Sequence, residues 1–79
     1  QVIDNLKLFP NPTNNGYFGL TFDGVIHSIR VFDMLGREVP VEADTTQGTV
    51  NASTLNNGRY MVRIETNRGT KVTEIIISM

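Results

Sequence analysis

The sequence has no cysteine and no tryptophan. Without cysteine there is no disulfide framework, which small chains often use to offset a thin core. A single histidine, His27, stands among eight scattered acids: Asp4, Asp23, Asp33, Glu38, Glu42, Asp44, Glu65 and Glu74. They show no zinc or calcium spacing, so neither a metal nor a cofactor is expected. Seven basic residues nearly balance the eight acids. Nucleic acids and anionic membranes require a basic cluster. Here Lys7, Arg30, Arg37, Arg59, Arg63, Arg68 and Lys71 are dispersed, which argues against both. Long apolar runs are missing too. Ile75-Ile76-Ile77 is strand-sized, far short of the ~20 residues of a spanning helix. No signal-peptide pattern opens the chain, and it begins at Gln1 rather than Met. Its 79 residues suit one domain, 1–79, read as a fragment of a longer secreted protein whose main functional part lies upstream. Lack of cysteine is compatible with export.

Helical periodicity is also nearly absent, because Gly or Pro interrupts each window of about a dozen residues. Short runs rich in Val, Ile, Phe, Tyr and Thr recur instead, separated by turn residues. Seven strands are predicted: Leu6–Phe9, Gly19–Phe22, His27–Phe32, Glu38–Glu42, Thr49–Ala52, Arg59–Thr66 and Lys71–Ser78. The clearest is Arg59–Thr66. Tyr60, Val62 and Ile64 fall on one face, and Arg59, Met61, Arg63 and Glu65 on the other. In the third strand Ile29 and Val31 should point inward, leaving Phe32 outside or at the sheet edge. The last strand carries apolar residues on both faces, so it needs a bulge near Glu74 or burial on both sides. Ile75 and Ile77 are expected in the core, with Ile76 exposed. The fold class that follows is all-β: a small immunoglobulin-like antiparallel sandwich of about seven strands.

The turns agree. Asn67-Arg68-Gly69 suits a tight hairpin with glycine at a left-handed position. Asp33-Met34-Leu35-Gly36 suits a type I turn followed by a glycine bulge, with the Asp33 carboxylate bonding the turn backbone. Pro10 and Pro12 end the first strand because neither has an N–H to donate. Asn11 lies between them, in a long reversal that runs to Gly16. Ser53 to Gly58 reads as an overhand loop with Leu55 turned into the core.

Little here supports catalysis. A nucleophile needs a base and an orienting group. His27 is the one imidazole, at the start of a strand, and reads as solvated. Ser28, Ser53 and Ser78 lack a nucleophile elbow. Asp23 and Asp33 are explained by turns, and Glu38, Glu42 and Glu65 by outward strand positions. Asn51-Ala52-Ser53 matches the N-glycosylation pattern, a match frequent by chance.

Three segments in a fixed order carry more information. They are Leu8-Phe9-Pro10-Asn11-Pro12-Thr13, then Val31-Phe32-Asp33-Met34-Leu35-Gly36-Arg37, then Leu55-Asn56-Asn57-Gly58-Arg59-Tyr60 with its β-rich continuation. The set resembles the C-terminal sorting domain of the type IX (Por) secretion system of Bacteroidetes-type bacteria. The resemblance covers roughly Leu6 to Ile77. On that resemblance Pro10, Asn11, Pro12, Asp33, Gly36, Arg37, Gly58, Tyr60 and Lys71 are the family-motif residues, with recognition layered on their structural roles. Gly58 shapes the turn, and Tyr60 anchors the core with its hydroxyl near an edge. Lys71 is expected as an exposed, edge-protecting lysine. Many members place a basic residue in the last strand; Thr73–Met79 has none.

The resemblance implies an address rather than an enzyme. The domain carries a passenger, upstream in the same chain, from the periplasm across the outer membrane. Partners implied are the translocon, its shuttle components, and a sortase-like cysteine peptidase that removes the domain and attaches the passenger at the cell surface. The final hairpin, Arg59 to Met79, is the expected docking surface. A second reading is an immunoglobulin-like accessory module that binds carbohydrate or protein. Tyr17, Phe18 and Phe22 would be its aromatics, although such a trio more often divides between core and edge. A third is a structural spacer, with dimer contacts through sheet edges.

Overall fold

The computed structural model describes residues 6–79; Asp4, counted above among the acids, lies outside them. Eight strands form: β1 (Lys7–Phe9), β2 (Tyr17–Thr21), β3 (Ile26–Phe32), β4 (Glu38–Val39), β5 (Glu42–Asp44), β6 (Thr49–Asn51), β7 (Gly58–Thr66) and β8 (Gly69–Ile77). They make two four-stranded sheets, ordered β1-β2-β6-β5 and β4-β3-β7-β8. All the strand pairs are antiparallel. This is the strand order of an immunoglobulin-type sandwich, with β4 as the extra strand beside the third.

The strand count differs from the expected seven because Glu38–Glu42 divides. Pro40 has no N–H, and the chain leaves one sheet there and enters the other. Glu38 pairs with Phe32, whereas Glu42 pairs with Asn51 across the sandwich. The second strand starts two residues earlier than expected and ends one residue earlier. It begins at Tyr17, which pairs with Asn51, and ends before Phe22.

The core lies between the sheets. Phe18, Leu20 and Val50 enter it from the first, and Ile29, Val31, Tyr60, Val62, Ile64, Ile75 and Ile77 from the second. Leu6 and Ala52 complete it, and Leu55 packs against it from its loop. Strand β7 alternates as its sequence requires, with Tyr60, Val62, Ile64 and Thr66 buried. Strand β8 needs no bulge: its register with β7 is continuous from Gly58↔Ile77 to Thr66↔Gly69. Ile75 and Ile77 are buried as expected. Ile76 is half-buried rather than exposed. Arg59 lies directly across from it, and the segment around Asn11 runs beside its backbone. A bulge does occur elsewhere. Ile26 pairs with Thr66 and Ser28 with Glu65, so His27 is an extra, exposed residue. The bulge reverses the alternation, which lets Ile26 pack against the core beside Ile29 and Val31.

Candidate functional site

The first and third motif segments, distant in sequence, meet at the end of strand β8. After β1 the chain passes two cis peptide bonds, Phe9-Pro10 and Asn11-Pro12, and changes sheet. Thr13 then forms a parallel bridge to Ile77. Asn11 works like a backbone unit on the outer edge of β8. Its side-chain amide donates to the Glu74 carbonyl at 2.9 Å, and its Oδ1 accepts from the Ile76 N–H at 3.1 Å. The Thr13 N–H donates to the Ile76 carbonyl, and the Ser78 N–H donates to the Thr13 carbonyl, both at 2.9 Å. An open sheet edge invites pairing with other chains. The Pro-Asn-Pro segment therefore closes the Glu74–Ser78 half of that edge. Further along β8, Val72 is exposed.

Thr13 itself is fully buried. Its hydroxyl donates to the Tyr17 carbonyl at 2.8 Å, which ties the crossing segment to the start of β2.

The third segment reaches the same place. Asn57 donates from its amide to the Met79 carbonyl at 3.2 Å and accepts from the Met79 N–H at 2.9 Å. Two asparagines thus hold the last part of the chain by pairs of backbone bonds. Gly58 opens β7 with φ 153°. Tyr60 is buried, and its hydroxyl donates to the Asn56 carbonyl at 2.8 Å. This is the tyrosine corner of immunoglobulin-type sandwiches, which pins a loop to the strand it feeds.

The second segment is a rigid turn. Asp33 Oδ1 accepts from the backbone N–H groups of Leu35 and Arg37, at 2.9 and 3.0 Å. Its other oxygen pairs with the Arg37 guanidinium at 2.9 Å. Gly36 takes φ 87°, open to glycine without a Cβ clash. Because Phe32 is level with Met61 and Glu74, this turn leaves the sheet at the end where Ile77 and Met79 lie. The turn holds Met34 and Leu35 out in water, 58% and 80% exposed. Sequence reasoning read these two only as turn residues. Two exposed apolar side chains at the tip of a locked turn are the signal that could have found them.

The Arg37 N–H chiefly holds the Asp33 carboxyl below the usual carboxylate range, with the guanidinium and the Leu35 N–H adding to it and partial desolvation opposing. The folded value is lower than the unfolded one. The stabilisation is therefore complete above an ordinary Asp pKa of about 3.9 and fades as pH falls through the lowered folded value. An NMR titration of the Asp33 carboxyl carbon is expected to show a midpoint below that of a model aspartate. A midpoint at or above it contradicts the turn geometry.

Pro10, Asn11, Pro12, Asp33, Gly36, Arg37, Gly58 and Tyr60 thus belong to segments gathered at one end of the sandwich. Lys71 does not. It lies across from Ile64, further along β8, and is half-buried rather than exposed. Its position on the core-facing side of the strand accounts for that. No group of three or more metal-ligating side chains occurs among the described residues.

No curated protein matches the chain. A family model described as the secretion system C-terminal sorting domain matches residues 7–78. Domains of this family are non-catalytic and direct their passengers across the outer membrane to the cell surface or beyond. With nearly every residue matched, and the motif segments in place on an immunoglobulin-type sandwich, the chain belongs to the family of type IX secretion system C-terminal sorting domains.

Proposed function

We propose that the export machinery reads the folded end of the sandwich at which the three motif segments lie. The observation that carries this is the pair of asparagine clamps. Asn11 and Asn57 hold Glu74–Ile76 and Met79 from two sides, so the end is a defined shape rather than a loose tail. The Asp33 turn adds an apolar tip, Met34-Leu35, at that same end. Exposed apolar side chains on a rigid base can anchor a partner at little ordering cost. In this reading the translocon or a shuttle component takes the tip, and a sortase-like cysteine peptidase acts on the chain upstream, where the passenger joins. The family motif residues then serve mainly to build the shape. Arg37 does so by orienting Asp33, and Lys71 contributes to the β8 strand rather than to the end itself.

Deleting Val72–Met79 tests this poorly, because it also removes Ile75 and Ile77 from the core. The sharper test is a reporter fused to the chain, carrying Met34→Ser and Leu35→Ser together. Both side chains are exposed, so stability should move by no more than about 0.5 kcal/mol for each. Capture by the exporting host's machinery is expected to weaken about tenfold or more, with reporter retained in the periplasm. Export at the parent level, with the fold intact, would sink the proposal.

A further inference from the structure

The outer face of the sheet β1-β2-β6-β5 is not flat. In one row across it Phe9, Gly19, Thr49 and Asp44 are successive neighbours, and in the next Tyr17, Asn51 and Glu42. Gly19 puts no side chain into the middle of this face. Its backbone is not in the left-handed region, so the strand conformation does not require glycine there. Glycine inside a strand weakens it and often marks a close approach. Here a Cβ would meet the Gly48 carbonyl oxygen at 3.3 Å and the Phe9 ring at 3.9 Å. The result is a groove of about 610 Å³, floored by Gly19. Phe9 and Tyr17 line it, 52% and 51% exposed.

We infer that this groove is a binding site for a neutral saccharide. The first reason is shape and apolarity. Small-ligand sites are concave and mostly apolar, with a few convergent polar groups. Exposed aromatic rings offer flat apolar surface of the kind that the C–H face of a pyranose covers. The second reason is the polar lining, which supplies both donors and acceptors. Asn15 spends its Oδ1 on the Tyr17 N–H, leaving its amide donors for a guest. Gln47 adds a second amide, and Glu42 and Asp44 add carboxylates. Asp44 uses Oδ1 to cap the Thr46 and Gln47 N–H groups, and Glu42 uses Oε1 on Asn51. Each keeps a second oxygen as an acceptor. Hydroxyl groups donate and accept and so match such a mixed lining. A cationic side chain only donates and would leave the amide donors unmatched. The third reason is charge. No described residue lining the groove is Lys, Arg or His, whereas two are acidic, which disfavours uronic acids and phosphosugars. The site faces away from the core and is distinct from the asparagine clamps, so it adds to the export reading without depending on it.

An amide-resolved NMR titration of the chain tests this, using cellobiose, lactose and maltose as neutral disaccharides. Digalacturonic acid and an arginine-containing tetrapeptide serve as the competing chemistries. Saturable shifts are expected with at least one neutral disaccharide at the Tyr17, Gly19, Thr49 and Asn51 amides. Tyr17→Ala should weaken that binding about tenfold, with dispersed spectra showing an intact fold. Glu42→Gln, an exposed change on a different strand, gives a second loss if the tyrosine variant unfolds. No saturable shift with any neutral disaccharide would overturn the proposal. So would stronger binding of the acid or the peptide, or equal binding by both variants.

Discussion

Ile75→Ala should cost the domain about 3–4 kcal/mol of unfolding free energy, read from a denaturant midpoint that falls with little change in slope. Ile75 is fully buried between the sheets and pairs with Tyr60, the residue that pins the β6–β7 loop. Removing three carbons there leaves a cavity that two hydrogen-bonded sheets cannot close by sliding. A chain of 79 residues is expected to hold only roughly 4–12 kcal/mol in total. The substitution therefore removes a large part of the margin. Ile76→Ala is the control. That side chain is half-buried on the outer face, so its loss should cost about 1 kcal/mol. If export depends on folded shape, a reporter carrying Ile75→Ala should be exported less as temperature rises, while Ile76→Ala is nearly unaffected by heating. Equal denaturant midpoints for the two variants would contradict the packing described here.

Gly16→Ala should be nearly as damaging, at about 3 kcal/mol, for a different reason. Gly16 has φ 81°, which an L side chain resists. It also lies against backbone: a Cβ would sit 2.6 Å from the Ser53 Cα and 2.9 Å from its nitrogen. Ser53 cannot retreat cheaply, because the Ala52 N–H is bonded to the Gly16 carbonyl at 2.8 Å. Gly36 makes the comparison clean. Its φ is 87°, but a Cβ there meets nothing within 4 Å. Gly36→Ala should thus cost only the backbone strain, about 1 kcal/mol. Thermal or denaturant unfolding of both variants separates clash from strain. Matching losses would show that the β6 side of the Gly16 contact yields easily.

Some of this architecture is legible residue by residue. Strand β7 shows its buried face in simple alternation, since Tyr60, Val62 and Ile64 recur with the period of a strand. The Asp33–Gly36 turn follows from a short carboxylate and a glycine at the right spacing, and the geometry bears it out. The Asn67-Arg68-Gly69 hairpin is as local, with Gly69 at φ 130°. Ile75 and Ile77 were expected in the core and are buried there, although apolar residues on both faces of the strand left its sequence ambiguous.

What local pattern could not supply are the features made by residues far apart in the chain. Nothing near Asn11 announces that its amide completes the edge of a strand more than sixty positions away. Pro40 marks a break, but only the sandwich decides that the two pieces join opposite sheets. The His27 bulge depends on how β3 meets β7, and the groove over Gly19 on which rings its neighbours bring. Local turns and alternation are set by steric limits and hydrogen bonds within a few residues, so the sequence alone determined the β class and most of its hairpins. Edges, bulges and grooves come into being when separate strands align, and the tertiary structure alone decided where they fell.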